Sequence, residues 1–347
     1  MNLRHPKGCP FLIVKFLSIL YNNIDFCKSL LYNRFDFDSI GKISEIISII
    51  HRHTGNYKYF LSSRKGPIGQ RSFYMKKITK AVIPAAGLGT RMLPIARSVP
   101  KEVLPIVDRP VMEYLVREAA DSGITDLLII TNRGKGVIED YFDYSPEYEE
   151  KLRQKNKMEE LEDIREIVNR INVHFVRQRD ARGLGHAISC ARAFTGDDAF
   201  CVLYGDDVIR SNVPVCRQMI NAYEKHGLGV ASVQEVTDEQ ITKYCSLDVE
   251  ALDDGYYRVR NMIEKPRIEE KFSNLSILGR VLLTPDIYDI LDNTAPGAGG
   301  EIQLTDAMKT LAQTKGMTAV KFEGKRYDMG SKFGFLEANI EYALLHD

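Results

Sequence analysis

From residue 75 onward the sequence predicts an α/β fold of three layers, with helices on both faces of a mixed, mostly parallel sheet. Three observations carry this. Short apolar runs alternate with helical periods between residues 81 and 203. The first run opens into a loop of small residues, and a later one ends in glycine and paired carboxylates. Alternation of this kind needs crossover connections, which lay helices over both faces of a sheet.

The elements follow in order. Residues 81–83, Ala-Val-Ile, read as a buried strand that breaks at Pro84. Residues 111–122 read as a helix with Met112, Leu115, Val116 and Ala119 on one face, stopped by Gly123. Residues 126–131 form an apolar strand, and 137–142 begin another helix. Tyr144-Ser145-Pro146 then introduces a highly charged helical run over 147–170, which reads either as a solvated face or as a contact between subunits. Residues 173–176 return to strand, 185–194 to helix and 199–203 to strand. A C-terminal helix is expected over 331–347.

The 347 residues suffice for two average domains or one large α/β domain. Formal charge sums to zero, but unevenly: residues 1–74 hold 11 Lys+Arg against 4 Asp+Glu, and the rest is acidic. An acidic body argues against general nucleic-acid binding, so affinity for phosphate must come from local cations. The six cysteines, Cys9, Cys27, Cys190, Cys201, Cys216 and Cys245, form no Cys-x-x-Cys pair. They read as the reduced thiols of a cytoplasmic protein rather than as a zinc or redox site.

Residues 1–74 differ from the remainder, being rich in Ile, Asn, Tyr, Phe and Lys. The apolar block from Phe11 to Leu20 is interrupted by Lys15 and is too short to span a bilayer. No small-x-small cleavage site follows it. The expectation is an extension outside the α/β fold, with Met75 as the true start and 1–74 as upstream sequence; the alternative is an anchor for a membrane or a partner. No membrane association is expected for 75–347.

The chemistry concentrates in a few stretches. After Ile83 and Pro84 comes Ala85-Ala86-Gly87-Leu88-Gly89-Thr90-Arg91, and Lys101 follows behind Pro100. Small residues let backbone N–H groups approach a phosphate chain, and two fixed cations can neutralise it. A turn between strand and helix uses glycine for ordinary reasons too. The P-loop pattern fails, because Gly89 is followed by Thr90-Arg91 rather than Lys-Ser/Thr. The dinucleotide fingerprint fails as well, since Met92 stands at its third glycine. Cys201-Val202-Leu203-Tyr204-Gly205-Asp206-Asp207 is an apolar strand ending in paired carboxylates. Asp206 there can hold a hard divalent cation, or the pair can cap a turn. Gln178, five residues before Gly183, can donate and accept as reading a pyrimidine edge requires; it can equally be a surface glutamine. Glu264-Lys265-Pro266 and Lys325-Arg326-Tyr327-Asp328-Met329-Gly330 complete the set, with the glycine-rich stretch Gly297-Ala298-Gly299-Gly300-Glu301 before an apparent helix start.

Taken together, Gly87-Leu88-Gly89-Thr90-Arg91-Met92-Leu93-Pro94, Pro100-Lys101-Glu102 and these later motifs resemble the sugar nucleotidyltransferase family. They come closest to its bacterial UTP–glucose-1-phosphate uridylyltransferases, over residues 75 to about 346. The resemblance implies a Rossmann-like three-layer α/β/α fold and transfer of a uridylyl group from UTP to glucose 1-phosphate, releasing pyrophosphate, with Mg2+. It implies a nucleotide-binding half at about 75–235 and a sugar-phosphate half at about 236–330. It assigns Arg91, Lys101 and Lys265 to catalysis, and Ala85, Ala86, Gly87, Gly89, Thr90, Glu102, Gln178 and Gly183 to the nucleotide. Glu264, Lys265, Tyr244 and Cys245 fall at the sugar, and Asp206 and Asp328 at the metal. His186 reads as a capping or core residue, because an anionic phosphate nucleophile needs no base. A homo-oligomer is implied too. Two departures stand out: the family's usual Tyr-Gly is Tyr244-Cys245 here, which puts the sugar's fit in doubt, and a common threonine is Ala96. The alternatives are a dTTP-dependent thymidylyltransferase and a non-catalytic sugar-nucleotide-binding regulator.

Overall fold

The structure, a computed structural model, describes residues 76–346; the expectations for residues 1–74 and Met75 lie outside them. Strand β1 (Lys80–Pro84) leads into the small-residue loop and a ribbon of β2 (Pro105–Ile106) and β3 (Arg109–Pro110). Helix α1 (Val111–Asp121), β4 (Asp126–Thr131), α2 (Gly136–Phe142), α3 (Pro146–Gln154), α4 (Glu159–Arg170) and β5 (Asn172–Arg177) follow. Next come α5 (Leu184–Ser189), α6 (Arg192–Thr195), β6 (Phe200–Leu203), β7 (Asp207–Arg210), α7 (Val215–His226) and β8 (Gly229–Glu235). The chain closes with α8 (Asp238–Ile241), β9 (Cys245–Ala251), β10 (Tyr257–Glu264), β11 (Leu275–Leu283), α9 (Ile287–Asp292), α10 (Leu304–Thr314), β12 (Met317–Lys321), β13 (Lys325–Asp328) and α11 (Lys332–His346).

Nine strands form one sheet in the order β5-β4-β1-β6-β11-β8-β12-β10-β9. Only β11 and β10 run against the others, so the sheet is mostly parallel by strand direction. Because both sit between co-directional strands, they create as many antiparallel neighbours as parallel ones. The continuous apolar runs are explained by burial on both faces: Ala81, Val82, Ile83, Cys201, Val202 and Leu203 are all inaccessible. One apolar cluster packs under α1, α7 and α11, the other under α5, α9 and α10. The chain steps from β1 to β4 on one side, and β6 takes the other side. That reversal leaves a crevice at the carboxyl ends of β1 and β6, where ligands of open α/β sheets bind.

Two expected helices are each split. The charged run 147–170 breaks into α3 and α4, with Asn156 at φ 54° between them. It is not wholly solvated: Ile167 is buried against the core, and Glu149 is buried in an ion pair with Arg165. The run 185–194 divides into α5 and α6 around Cys190 and Ala191.

One buried ion pair joins the sheet to α1. Arg280 on β11 is fully buried and donates to both Glu118 carboxylate oxygens at 2.6–3.1 Å. Its remaining donors reach the carbonyls of Gly279 and Asp207 at 2.9 Å each. Glu118 also accepts from the Cys216 N–H at 3.2 Å, so α1, α7, β7 and β11 meet at one guanidinium. Arg280→Met strands Glu118 in the interior and is expected to cost about 3–5 kcal/mol in urea unfolding. Adding Glu118→Gln should recover much of that loss; a double variant as unstable as the single one contradicts the assignment.

Candidate active site

The small-residue loop is gripped from behind. Lys135 Nζ, from the segment after β4, donates to the Ala85 carbonyl at 2.6 Å, and Asn132 Nδ2 donates to the Ala86 carbonyl at 2.5 Å. In a planar trans peptide the N–H points opposite to the C=O. Holding these two carbonyls therefore turns the N–H groups of Ala86 and Gly87 to the other side of the loop, as anion binding requires. Lys135 is itself buried, and its charge is met by Glu102 at 2.8 and 2.9 Å. Glu102, at 1% exposure, thus lies beneath the loop as the partner of Lys135. Burial pushes the Glu102 carboxyl up and the Lys135 ammonium down, each opposed by the other's charge.

Beyond the loop, four charged side chains converge. Arg91, in the turn Thr90–Met92, lies 3.4 Å from Asp206 Oδ2 and 3.2 Å from Asp328 Oδ2. Lys101 Nζ donates to Asp206 Oδ2 at 2.5 Å. Asp206 stands where β6 gives way to β7, and Asp328 ends β13; the two strands pair with Asp328 opposite Asp207. The Met329 N–H donates to the Asp206 carbonyl at 2.8 Å, closing the ribbon beside the crevice. Gly330 sits at the focus: a Cβ there would lie 2.5 Å from both Arg91 Nη2 and Asp206 Oδ2, and 3.0 Å from Asp328 Oδ1. Burial alone would raise the Asp206 pKa, but Lys101 and then Arg91 outweigh it and hold it below the usual range. Burial would lower Lys101, yet Asp206 and Glu102 carry it above its ordinary value.

Asp207 faces the other way. It is buried and accepts from Arg326 Nε at 2.6 Å, while burial leaves its pKa raised. The adjacent carboxylates thus divide, one toward the cations of the crevice and one toward the interior.

Gln178, just past β5, is 7% exposed, so it is not a surface glutamine. Its Nε2 donates to the Gly183 carbonyl at 3.2 Å and meets His186 Nδ1 at 2.9 Å. Burial and then the Arg182 guanidinium keep His186 below its usual pKa, so its neutral ring serves Gln178 as an acceptor. Gly183, at φ 96°, has no room for a side chain: a Cβ would lie 2.7 Å from Glu301 Cβ and 2.8 Å from the Ile302 carbonyl. The glycine-rich stretch whose role the motif alone did not reveal is what packs there. The Ile302 carbonyl accepts from Gly185 N–H and its own N–H donates to Arg182, both at 2.8 Å.

Among the residues expected at the sugar, Glu264 ends β10 and accepts from Thr305 Oγ1 at 2.7 Å. Lys265 is exposed at φ 45°, with its N–H on the Tyr244 carbonyl at 2.8 Å and its ammonium 3.8 Å from Glu264. It does not join the direct contacts of Arg91, Lys101, Asp206 and Asp328. The side chain of Cys245 turns into the core, where its Sγ accepts from the Ile277 N–H at 3.4 Å. Burial pushes its thiol up to about 12. The substitution at Cys245 therefore fills core space between β9 and β11.

Sequence reasoning missed Lys135, Asn132 and Arg326. The available signal was positional: two of them directly follow a buried strand that lies beside β1, and the third is two residues from Asp328.

Over most of its length the chain is similar to known proteins. The profile of the nucleotidyl transferase family matches residues 80–344, and the chain belongs to that family. Within it, the chain is 47% identical over 270 residues to the UTP–glucose-1-phosphate uridylyltransferase of Bacillus subtilis (strain 168), covering 78% of this chain and 92% of that one. It is 48% identical over 277 residues to UTP–glucose-1-phosphate uridylyltransferase 2 of Staphylococcus saprophyticus, covering 79% and 96%. Among solved structures, a UDP-glucose pyrophosphorylase complexed with UDP-glucose superposes with a TM-score of 0.72 at 42% identity, covering 77% of this chain and 99% of that one. The UTP-bound UGPase from Acinetobacter baumannii gives a TM-score of 0.72 at 39% identity, over 78% and 94%.

Lys135→Met releases the Ala85 carbonyl and strands Glu102, so urea unfolding should register a loss of about 3–5 kcal/mol. Calorimetry should also find weaker binding of inorganic triphosphate. In Lys135→Met/Glu102→Gln, stability should largely return while triphosphate affinity stays low. Recovery of both would mean that Lys135 serves only as an ion-pair partner.

Proposed function

We propose that this chain transfers the uridylyl group of UTP to glucose 1-phosphate, giving UDP-glucose and pyrophosphate. The observation that carries the reading is the convergence of Arg91, Lys101, Asp206 and Asp328 at the carboxyl end of β6, beside a loop whose N–H groups face outward. Relatives named for this reaction, at 46–48% identity over most of the chain, support the same choice of substrates.

An oxygen of glucose 1-phosphate attacks the α-phosphorus of UTP in line, and pyrophosphate leaves. The nucleophile is already anionic, so the protein's task is to bring two polyanions together. At ~4 Å, with an effective dielectric near 20, each pair of unit charges repels by about 4 kcal/mol. Lys265 holds the sugar phosphate, Lys101 neutralises the α-phosphate side and Arg91 draws on the departing pyrophosphate. The N–H groups of Ala86 and Gly87, with Gly89 and Thr90, cradle the phosphates. Gln178 reads the uracil edge over Gly183, and Glu264 accepts from glucose hydroxyls, with the backbone of Tyr244 and Cys245 beside them.

The donor set fits Mg2+. Asp206 and Asp328 meet one guanidinium at 3.4 and 3.2 Å, and Gly330 leaves the space between them free of a side chain. Among the described residues no group of three or more His, Cys, Asp or Glu side chains could hold a metal by itself. Magnesium typically takes one or two carboxylates and completes its shell with substrate phosphates and water. When bound, it polarises phosphate oxygens and offsets charge that builds on them.

The proposal assigns residues 75–347 to the catalytic domain, with nucleotide and sugar-phosphate halves of about 75–235 and 236–330; the C-terminal helix expected at 331–347 is α11, Lys332–His346. It extends to a cytoplasmic homo-oligomer, since α11 exposes Phe333, Leu336, Ile340 and Leu344 along one stripe. No helix among the described residues is long and apolar enough to cross a membrane.

Pyrophosphate release tests the reading directly. UTP with glucose 1-phosphate and Mg2+ should be turned over far faster than dTTP with the same sugar; preference for dTTP would make the protein a thymidylyltransferase. Arg91→Ala should cut kcat by roughly 100-fold or more with folding intact, and near-normal turnover would remove Arg91 from its role. The pH profile supplies a separate check. Lys101 is held above its ordinary value, and Asp206 and His186 below theirs, so each titrates further from neutrality than usual. The value of kcat/KM should therefore stay flat between about pH 7 and pH 9. A protein-derived limb near pH 8 contradicts the assignment.

A further inference from the structure

The crevice carboxylates flank the β7–β13 ribbon and Lys265 follows β10 of the nine-stranded sheet, yet one side chain links the two. Arg326, on β13 two residues before Asp328, donates Nε to Asp207 Oδ1 at 2.6 Å, with Nη2 equally close. Its Nη1 donates to Tyr244 Oη at 2.9 Å, and its guanidinium lies 4.8 Å over the Tyr244 ring. The Tyr244 carbonyl in turn accepts the Lys265 N–H at 2.8 Å. Asp207 is bonded through the chain to Asp206 and pairs across the ribbon with Asp328. A continuous path thus runs from both outward carboxylates through Asp207, Arg326 and Tyr244 to the backbone of Lys265.

We propose that Arg326 and Tyr244 are positioning residues that set the distance between the Asp206–Asp328 pair and Lys265, and so align the sugar phosphate with the α-phosphorus. The proposal rests on the nucleotidyl-transfer reading above. Neutralising Asp207 needs one cation and no second contact. A guanidinium is a rigid planar fork that serves two partners on different edges at once, which an ammonium on a flexible stem does not. The geometry uses both edges, and the second partner is the residue whose backbone holds Lys265. In-line transfer is sensitive to placement errors of about 1 Å, so a fixed strut between the two anion sites has a direct kinetic consequence.

Two variants break the strut at different points without stripping Asp207 of its cation. Tyr244→Phe removes only the hydroxyl. Arg326→Lys keeps a positive charge by Asp207 but cannot reach both partners. Each should raise KM for glucose 1-phosphate and lower kcat, cutting kcat/KM for that substrate by about fivefold or more, while KM for UTP stays within about twofold. UDP-glucose binding measured by calorimetry should weaken in parallel, and the thermal midpoint of Tyr244→Phe should move by no more than about 2 °C. The decisive expectation is that the double variant is no worse than either single one, because both remove the same strut. Unchanged KM in both variants, additive effects in the double, or equal rises in all the constants overturn the proposal. Additivity would mean that Tyr244 acts on the sugar independently of Arg326. An active wild type with unaltered variants removes the strut alone. A wild type that releases no pyrophosphate from UTP and glucose 1-phosphate overturns the reaction and the strut with it.

Discussion

Two neighbouring carboxylates, Asp206 and Asp207, impose the constraint around which the rest of this fold is arranged. Adjacent in sequence, one buried and one half-buried, they would repel each other if they faced one way. The chain turns them apart and gives each its own cations: Lys101 and Arg91 for Asp206, Arg326 for Asp207. Their pKa values separate accordingly, with Asp206 lowered by Lys101 and Arg91 and Asp207 raised by burial. Divergence of this kind marks a division of labour. Asp206 faces the crevice, and Asp207 is committed to its ion pair with Arg326.

That commitment reaches far. Asp207's carbonyl accepts from Arg280, whose guanidinium also holds Glu118, and Asp207's carboxylate accepts from Arg326. A single residue therefore connects α1, β11, β13 and the segment before β9. Buried ion pairs are poor evidence of net stability, because desolvation offsets much of the attraction. Their value here is geometric. Charged groups with fixed partners reorganise little, and preorganised charge is what stabilises an incoming charge most. Lys135 with Glu102 does the same beneath the loop, converting a buried charge into the orientation of two peptide planes.

How much of this could be read from one dimension depended on where each interaction lies in the chain. The buried strands were legible because burial on both faces leaves continuous apolar runs such as Leu127-Leu128-Ile129-Ile130. Arg91, Lys101 and Asp206 were legible because they stand beside the elements that place them. Arg280 was not: its partner Glu118 is 162 residues away, and an arginine inside an apolar strand carries no mark of what neutralises it. Lys135 and Arg326 were hidden for the same reason, since a basic residue next to polar ones reads as solvated until tertiary structure supplies a carboxylate. The helix breaks at Asn156 and around Cys190 escaped notice because helical periodicity survives a short interruption. At Cys245 the family pattern suggested a side chain at the sugar, but pattern alone could not say which face of β9 it would take.

Lys265 shows how local strain becomes function. Successive side chains of a strand point to opposite faces, so continuing β10 by one residue would separate Lys265 from Glu264. The backbone instead turns to φ 45° at Lys265, and its ammonium comes to lie 3.8 Å from the Glu264 carboxylate. A lysine in the left-handed region costs about 1–3 kcal/mol and persists only where its surroundings over-determine it. They do so here: the Lys265 N–H is held by Tyr244, Pro266 behind it is buried, and Glu264 is fixed by Thr305. Relaxing the turn would return the pair to opposite faces and part the Glu264 carboxylate from the Lys265 ammonium. The strained backbone at one residue is what keeps a carboxylate and an ammonium side by side at the end of β10, ready for a ligand that carries both a hydrogen-bond donor and an anion.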